Sequence, residues 1–282
     1  MLYPSNKLNE EEKSVINTDA SIKNILQVND EWYYNDTTMV TNSHLKILNE
    51  GGPEALENYY KYGSEDNPAF AFGRAFHMFI LEPHLFTKNY WILDDVEICK
   101  EIGGKRPSTT KKYKEWLEQV SQDNLGKEMI SLSDIKRLEQ MSEKLYSIPQ
   151  VEALLKDTQR EVVYKRSING VDCKGKLDAV KPNHLIIDLK TTSKCPSPNQ
   201  FSRDFYNYGY DQQLAFYSAL ADVPEACVIA IQKVKPYTVG VYMVSKESMD
   251  SGTRKYELAL DLYKDQYRGN LDIDKFYYQG SL

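Results

Sequence analysis

Residues 160–192, REVVYKRSINGVDCKGKLDAVKPNHLIIDLKTT, decide the fold. The segment 160–168 is rich in β-branched and aromatic residues and predicts a strand. Asn169-Gly170 follows, a pair that tolerates positive φ at both positions and closes a tight hairpin. Residues 171–180 predict the second strand. Pro182-Asn183 turns the chain again, and 185–190 form the third, so the segment reads as an antiparallel meander.

Helical patterns flank the meander. Ser43 is placed to cap a helix through Leu48, and Gly51-Gly52-Pro53 ends it before a second helix through about Tyr62. The spacing predicts a helix over 68–82, with Phe72, Phe76, Phe79 and Ile80 in one apolar stripe and Pro83 just beyond its end. Further helices are expected near 111–122 and 132–147, and after the meander near 198–206 and 210–222. Strands near 226–234 and 237–244 and a long helix over about 246–267 complete the chain. The order predicts a mixed α/β (α+β) domain, a central mixed sheet with an antiparallel meander flanked by helices. Residues 1–40 read as an acidic N-terminal arm and 41–282 as a single domain.

Strand alternation concentrates the chemistry. On the second strand Val171, Cys173, Gly175, Leu177 and Ala179 share one face, and Asp172, Lys174, Lys176 and Asp178 the other. On the third, Leu185, Ile187 and Leu189 point one way, Asp188 and Lys190 the other. Two carboxylates and a lysine therefore converge on one patch. Carboxylate oxygens suit hard divalent cations, which activate water and neutralise charge in phosphodiester hydrolysis. A neighbouring lysine stabilises developing negative charge. The D-x-K pattern is short enough to arise by chance, and Asp178 and Lys190 could equally form a cross-strand ion pair.

Two other features bear on that choice. Gln213 and Tyr217 stand at i and i+4 on one helix face, where both can donate hydrogen bonds. The alternative is an amphipathic helix with Tyr217 in the core. His77 borders the apolar stripe of its helix, as a further metal ligand or as a satisfied core histidine. Glu161 opens the first strand and is a weaker candidate for a metal-bound water or a second metal.

The 282 residues carry a net charge of −6, unevenly spread. Residues 1–66 hold 5 basic and 12 acidic side chains, whereas 100–114 hold six basic and one acidic. Lys105, Arg106, Lys111 and Lys112 in that basic loop are expected to contact phosphates; the alternative is a solvated loop. No apolar run reaches the roughly 18 residues of a membrane span, and the N-terminus lacks a signal-peptide order, so a cytoplasmic protein with no membrane association is expected. Cys99, Cys173, Cys195 and Cys227 are scattered, which predicts no iron–sulphur cluster.

Four segments, taken in order, resemble the RecE-type exonucleases, the exonuclease VIII-like branch of the PD-(D/E)XK nucleases. Gly73-Arg-Ala-Phe-His77 followed by Leu81-Glu-Pro83 is similar to that family's histidine motif. Lys174-Gly-Lys-Leu-Asp178 is similar to its first acidic motif, Asp188-Leu-Lys-Thr-Thr192 to its D-x-K-T-T motif, and Gln213 to Tyr217 to its Q-x-x-x-Y helix. The resemblance implies His77, Asp178, Asp188 and the backbone carbonyl of Leu189 as ligands for Mg²⁺ or Mn²⁺. It also implies Lys190 as catalytic lysine, Gln213 and Tyr217 completing the site, and Glu161 at an accessory acidic position. Arg74 and Thr191, inside these motifs, are DNA-contact candidates. The activity implied is 5′-to-3′ digestion of linear double-stranded DNA, leaving a 3′ tail. The implied partners are DNA ends, further copies of the chain in a ring, and a single-strand annealing protein. An endonuclease, a single-strand exonuclease, or a non-catalytic DNA-end-binding protein on the same fold are the competing readings.

Overall fold

The computed structural model describes residues 25–63, 68–94 and 110–267, except 27 and 29, with isolated positions 98, 100 and 103. Lys105 and Arg106 lie outside the described residues, as does Cys99. The expected meander is present as β4 (Gln159–Ile168), β5 (Val171–Lys181) and β6 (Leu185–Thr192). Its first turn has Asn169 at φ 49° and Gly170 at φ 80°, the left-handed geometry that the Asn-Gly pair predicts.

The meander is the centre of a six-stranded sheet. Its edge on one side is β1 (Ile25–Leu26), and β7 (Glu225–Gln232) and β8 (Val239–Met243) follow on the other, in the order β1-β4-β5-β6-β7-β8. Only β6 and β7 pair in parallel within it. Their crossover carries α8 (Pro198–Asn207) and α9 (Tyr210–Ala221), because parallel neighbours need a long connection.

Helices cover both faces and create two cores. The first lies under α2 (Asn42–Tyr62), α9 and α10 (Lys246–Leu262) and is filled by Leu45, Leu48, Phe216, Leu220 and Leu260 against Leu177, Val180 and Ile186. The second lies under α3 (Pro68–Leu81), α6 (Leu132–Tyr146) and α7 (Pro149–Leu155). There Phe76, Leu138, Met141 and Leu155 meet Ala179, Ile187, Leu189 and Ile229. Burial of apolar area on both sides explains why β6 reads as a continuous apolar run around a single Asp188.

Several expectations need correction. The two helices expected around Gly51-Gly52-Pro53 form one element, α2, kinked at Gly52, where φ is 75°. Its cap is Thr41 rather than Ser43: the Thr41 hydroxyl accepts from the His44 amide and His44 Nδ1 accepts from the Thr41 amide. The stretch after α3, for which no element is expected, forms α4 (Pro83–Asn89) and β2 (Tyr90–Leu93), and β2 pairs in parallel with β3 (Glu128–Ser131). β1 pairs with β4, and Val40, fully buried, exchanges backbone hydrogen bonds with Asp172 and Lys174. No described helix is long and apolar enough to cross a membrane.

Simple alternation also fails along β5. Val171, Cys173 and Leu177 pack in the first core, but Ala179 packs in the second. The pleat resets where Asp178 stands opposite Glu161, between the pairs Arg160–Ala179 and Val162–Leu177. Glu161 has φ 52°, which an L-residue adopts only at a cost, and such distortions re-aim side chains. Lys174, expected on the face of Asp172, Lys176 and Asp178, is wholly buried.

Close helix contact in the first core rests on Gly252 of α10. A Cβ there would lie 2.0 Å from the Asp211 carbonyl oxygen of α9. Gly252→Ala should therefore lower stability by about 1–3 kcal/mol through overpacking, even though alanine is the better helix former by about 1 kcal/mol. Thermal melting checks this; an unchanged or raised Tm would contradict the contact.

His44 provides a pH test. Burial, helped by the Lys174 charge, lowers its pKa from 6.5 to about 4. The unfolded chain takes up this proton first, so the contribution to stability is lost as pH falls from about 6.5 toward 4, by up to about 3 kcal/mol. Urea midpoints of wild type and His44→Asn across that range should converge as pH falls; parallel profiles would refute the assignment.

Candidate metal centre

The site forms where the two cores meet at the end of the meander. His77 comes from α3, Glu161 from β4 and Asp178 from β5. One ligand atom from each lies within 4.8 Å of the others. Asp178 holds the arrangement together: its Oδ2 accepts the Leu189 amide at 2.7 Å, and its Oδ1 lies 3.3 Å from His77 Nδ1. Burial alone would raise the Asp178 pKa, but His77 and Lys190 outweigh it and hold the carboxyl below its usual range. Burial likewise opposes a charged His77, and Asp178 outweighs it to raise the imidazole.

Glu161 is pushed up to about 7 by burial and by the Asp178 charge, against the opposing pull of Lys176 at 2.8 Å. Two carboxylates that repel one another in a partly buried cluster, with an imidazole beside them, suit a divalent cation: its charge turns the repulsion into attraction. The donor set is oxygen and nitrogen without thiolate, which fits Mg²⁺ or Mn²⁺ chemistry.

Asp188 and Lys190 adjoin the cluster on β6. Asp188 is 1% exposed, and burial with the Asp178 charge raises it to about 6. Lys190 Nζ donates to its Oδ1 at 2.9 Å and lies 2.7 Å from Oδ2. Oδ2 nevertheless receives no well-directed hydrogen bond among the described residues, leaving a buried acceptor for a further ligand. The two carboxylates keep the Lys190 pKa above its usual value although burial opposes it, so the ammonium is a fixed positive charge.

The Q-x-x-x-Y pair stands on α9. Gln213 Nε2 donates to the Tyr217 hydroxyl at 3.3 Å. Tyr217 lies across Gly175, where a Cβ would come 2.9 Å from its ring, which explains a glycine between Lys174 and Lys176. Burial pushes the Tyr217 hydroxyl far above its usual pKa, so it stays neutral.

A cavity of about 580 Å³ opens from the cluster and is lined by His77, Glu161, Asp178 and Tyr217. Arg74 also lines it, 3.5 Å from Glu128. Thr191 lies near α3, with its Oγ1 3.9 Å from a Cβ built on Gly73. Lys111 and Lys112 open α5 (Lys111–Asp123) as exposed side chains, Lys111 being 3.5 Å from Glu115. The Leu189 side chain is buried in the second core. Of the cysteines, Cys173 and Cys227 are buried in opposite cores and Cys195 is exposed.

Sequence reasoning missed two contributors. Tyr210 lies under Lys190, whose Nζ is 4.9 Å from the ring centre. Its spacing of three from Gln213 and seven from Tyr217 puts it on their helix face, so a signal existed. Lys176 bridges Glu161 and Asp30, at 2.8 and 2.7 Å. It belongs to the quoted Lys174–Asp178 motif, but its partners are remote in sequence.

A known structure shares the fold. A protein described as a candidate exonuclease from Eubacterium rectale superposes with a TM-score of 0.62 at 14% identity, covering 91% of this chain and 96% of that one. A phage-related exonuclease from Haemophilus somnus gives a TM-score of 0.33 at 16% identity over 61% of this chain and 88% of its own. No curated protein matches. The sequence profile of the PDDEXK-like domain of unknown function (DUF3799) matches residues 41–272, and by that match the chain belongs to this family, within the PD-(D/E)XK-like superfamily.

Proposed function

We propose that the protein is a metal-dependent exodeoxyribonuclease that hydrolyses linear double-stranded DNA. The observation that carries this reading is the partly buried His77/Glu161/Asp178 cluster with the Asp188–Lys190 pair beside it. His77, Glu161 and Asp178 would hold a divalent cation, with Asp188 and the Leu189 carbonyl as further ligands. Such a cation supplies Lewis-acid charge at the scissile phosphate.

The chain's own groups supply the rest. Lys190, kept protonated by Asp188 and backed by the Tyr210 ring, offers fixed positive charge to a phosphate oxygen as negative charge develops there. The neutral Tyr217 hydroxyl and Gln213 amide, joined by their hydrogen bond, can orient water or a phosphate oxygen. Arg74 in the cavity wall, Thr191, and the exposed Lys111 and Lys112 suit the DNA backbone. Cleavage from a 5′ end leaving a 3′ tail, a ring of copies and work beside a strand-annealing protein are the finer parts of the proposal. They rest on the ordered motifs around His77, Asp178, Asp188 and Gln213.

The decisive experiment compares 5′- and 3′-end-labelled linear duplex with closed circular DNA, in Mg²⁺ or Mn²⁺ and in chelator. The expected result is release of nucleotides from the 5′ end of linear duplex only, lost in chelator and reduced about 100-fold or more in Lys190→Ala. Rapid cutting of closed circles would make the protein an endonuclease. Wild-type activity in Lys190→Ala, or end binding without turnover in either metal, would overturn the mechanism.

Metal binding has its own readout. Calorimetric titration with Mn²⁺ should show binding to the wild-type chain that Asp178→Asn and Glu161→Gln weaken at least tenfold. Equal affinity in all three would place the cation elsewhere.

A further inference from the structure

Helix α1 (Asp30–Asn35) carries an exposed aromatic ring to the mouth of the catalytic cavity. Its position is rigidly determined. Lys174 Nζ, wholly buried, donates to the Tyr33 carbonyl at 2.7 Å, the Asp36 carbonyl at 2.8 Å and Asp36 Oδ2 at 2.9 Å. The same ammonium lies 4.8 Å from the Trp32 ring centre and 5.0 Å from that of Tyr33. Lys176 adds its amide to the Tyr33 hydroxyl at 3.2 Å and its Nζ to Asp30 at 2.7 Å. Both lysines flank Gly175 on β5, the strand that presents Asp178, so α1 and the metal cluster share one frame.

Tyr34 uses none of these anchors. It is 66% exposed, with its ring edge-on to Tyr33 at 5.1 Å, and both tyrosines line the cavity with His77, Glu161 and Asp178. The surrounding charge narrows what this wall can receive. Glu31, Glu82 and Glu128 also line the cavity with Asp30, which is paired to Lys176, and their carboxylates outnumber the cations there, Arg74 from α3 being 3.5 Å from Glu128. A neutral π face in acidic surroundings suits a nucleobase and not a phosphodiester backbone.

We propose that Tyr34 is a substrate-positioning residue that stacks on a base at the end of the bound DNA and so determines which phosphodiester reaches the metal cluster. This inference rests on the nuclease reading above. It assigns to α1 the base-holding side of the cavity and to Arg74 the phosphate side.

The test uses the full chain with duplex carrying 2-aminopurine at its terminal pair or at an internal pair, bound in chelator. Wild type should quench the terminal probe by stacking and leave the internal one bright. Tyr34→Ala and Tyr34→Leu should lose that quenching and raise both Kd and duplex KM by about tenfold. Calorimetric Mn²⁺ affinity should be unchanged in both variants, since Tyr34 is not among the residues of the metal site, and Tyr34→Trp should restore quenching. Tyr62→Ala, which removes an 82% exposed tyrosine outside the cavity, should match wild type. Wild-type quenching and KM in Tyr34→Leu, with DNA still bound and cut, would sink this inference alone. A wild-type chain that neither binds nor cuts duplex DNA would remove the nuclease reading as well.

Discussion

The carboxylate of Asp178 ties together parts of the molecule that fold from different layers. One oxygen takes the Leu189 amide from the neighbouring strand, and the other faces His77 from the helix layer. This bridge adds a directional contact at His77 of α3 to the helix's apolar packing, which is not directional, and to the hydrogen bonds that Arg160 gives the Ile80 and Leu81 carbonyls at its end. The bridge works because the pleat resets at Asp178, where Glu161 adopts left-handed φ across the ladder. Backbone strain and the ionisable cluster therefore coincide in one place, as expected where structure is spent on chemistry.

A second constraint is the division of labour between Lys174 and Lys176. Both belong to one short motif, and both meet acids from the N-terminal segment. Lys174 is buried, and its ammonium is satisfied by three oxygens and two aromatic faces, so it acts as a structural rivet. Lys176 keeps contact with Glu161 and couples the position of α1 to the cluster. Gly175 between them leaves room for Tyr217 and completes the contact with α9.

Much of the fold was legible because it is local. The Asn169-Gly170 turn and the β-branched runs placed β4, β5 and β6 to within two residues, and the Phe72–Phe76–Ile80 stripe placed α3. Thr41 was missed as a cap because Ser43 is an equally good capping residue, and only the His44 side chain decides between them. The pairing of β2 with β3 left no periodic signal, since both strands are four residues long and lie far apart in the chain. The docking of Val40 and α1 was equally hidden, because part of it uses backbone carbonyls, which every residue carries, and its acids Asp30 and Asp36 are remote in sequence from Lys176 and Lys174.

The sequence by itself determined the meander, the flanking helices and the set of residue types able to bind a cation, because turn chemistry, apolar period and motif spacing are short-range properties. Only the tertiary structure decided that Glu161 joins His77 and Asp178, while Asp188 lies against Lys190 and Lys174 serves α1 instead of the site. The physical reason is that side-chain direction near Asp178 departs from strand alternation. Which ammonium meets which carboxylate then depends on how layers distant in sequence pack against one another.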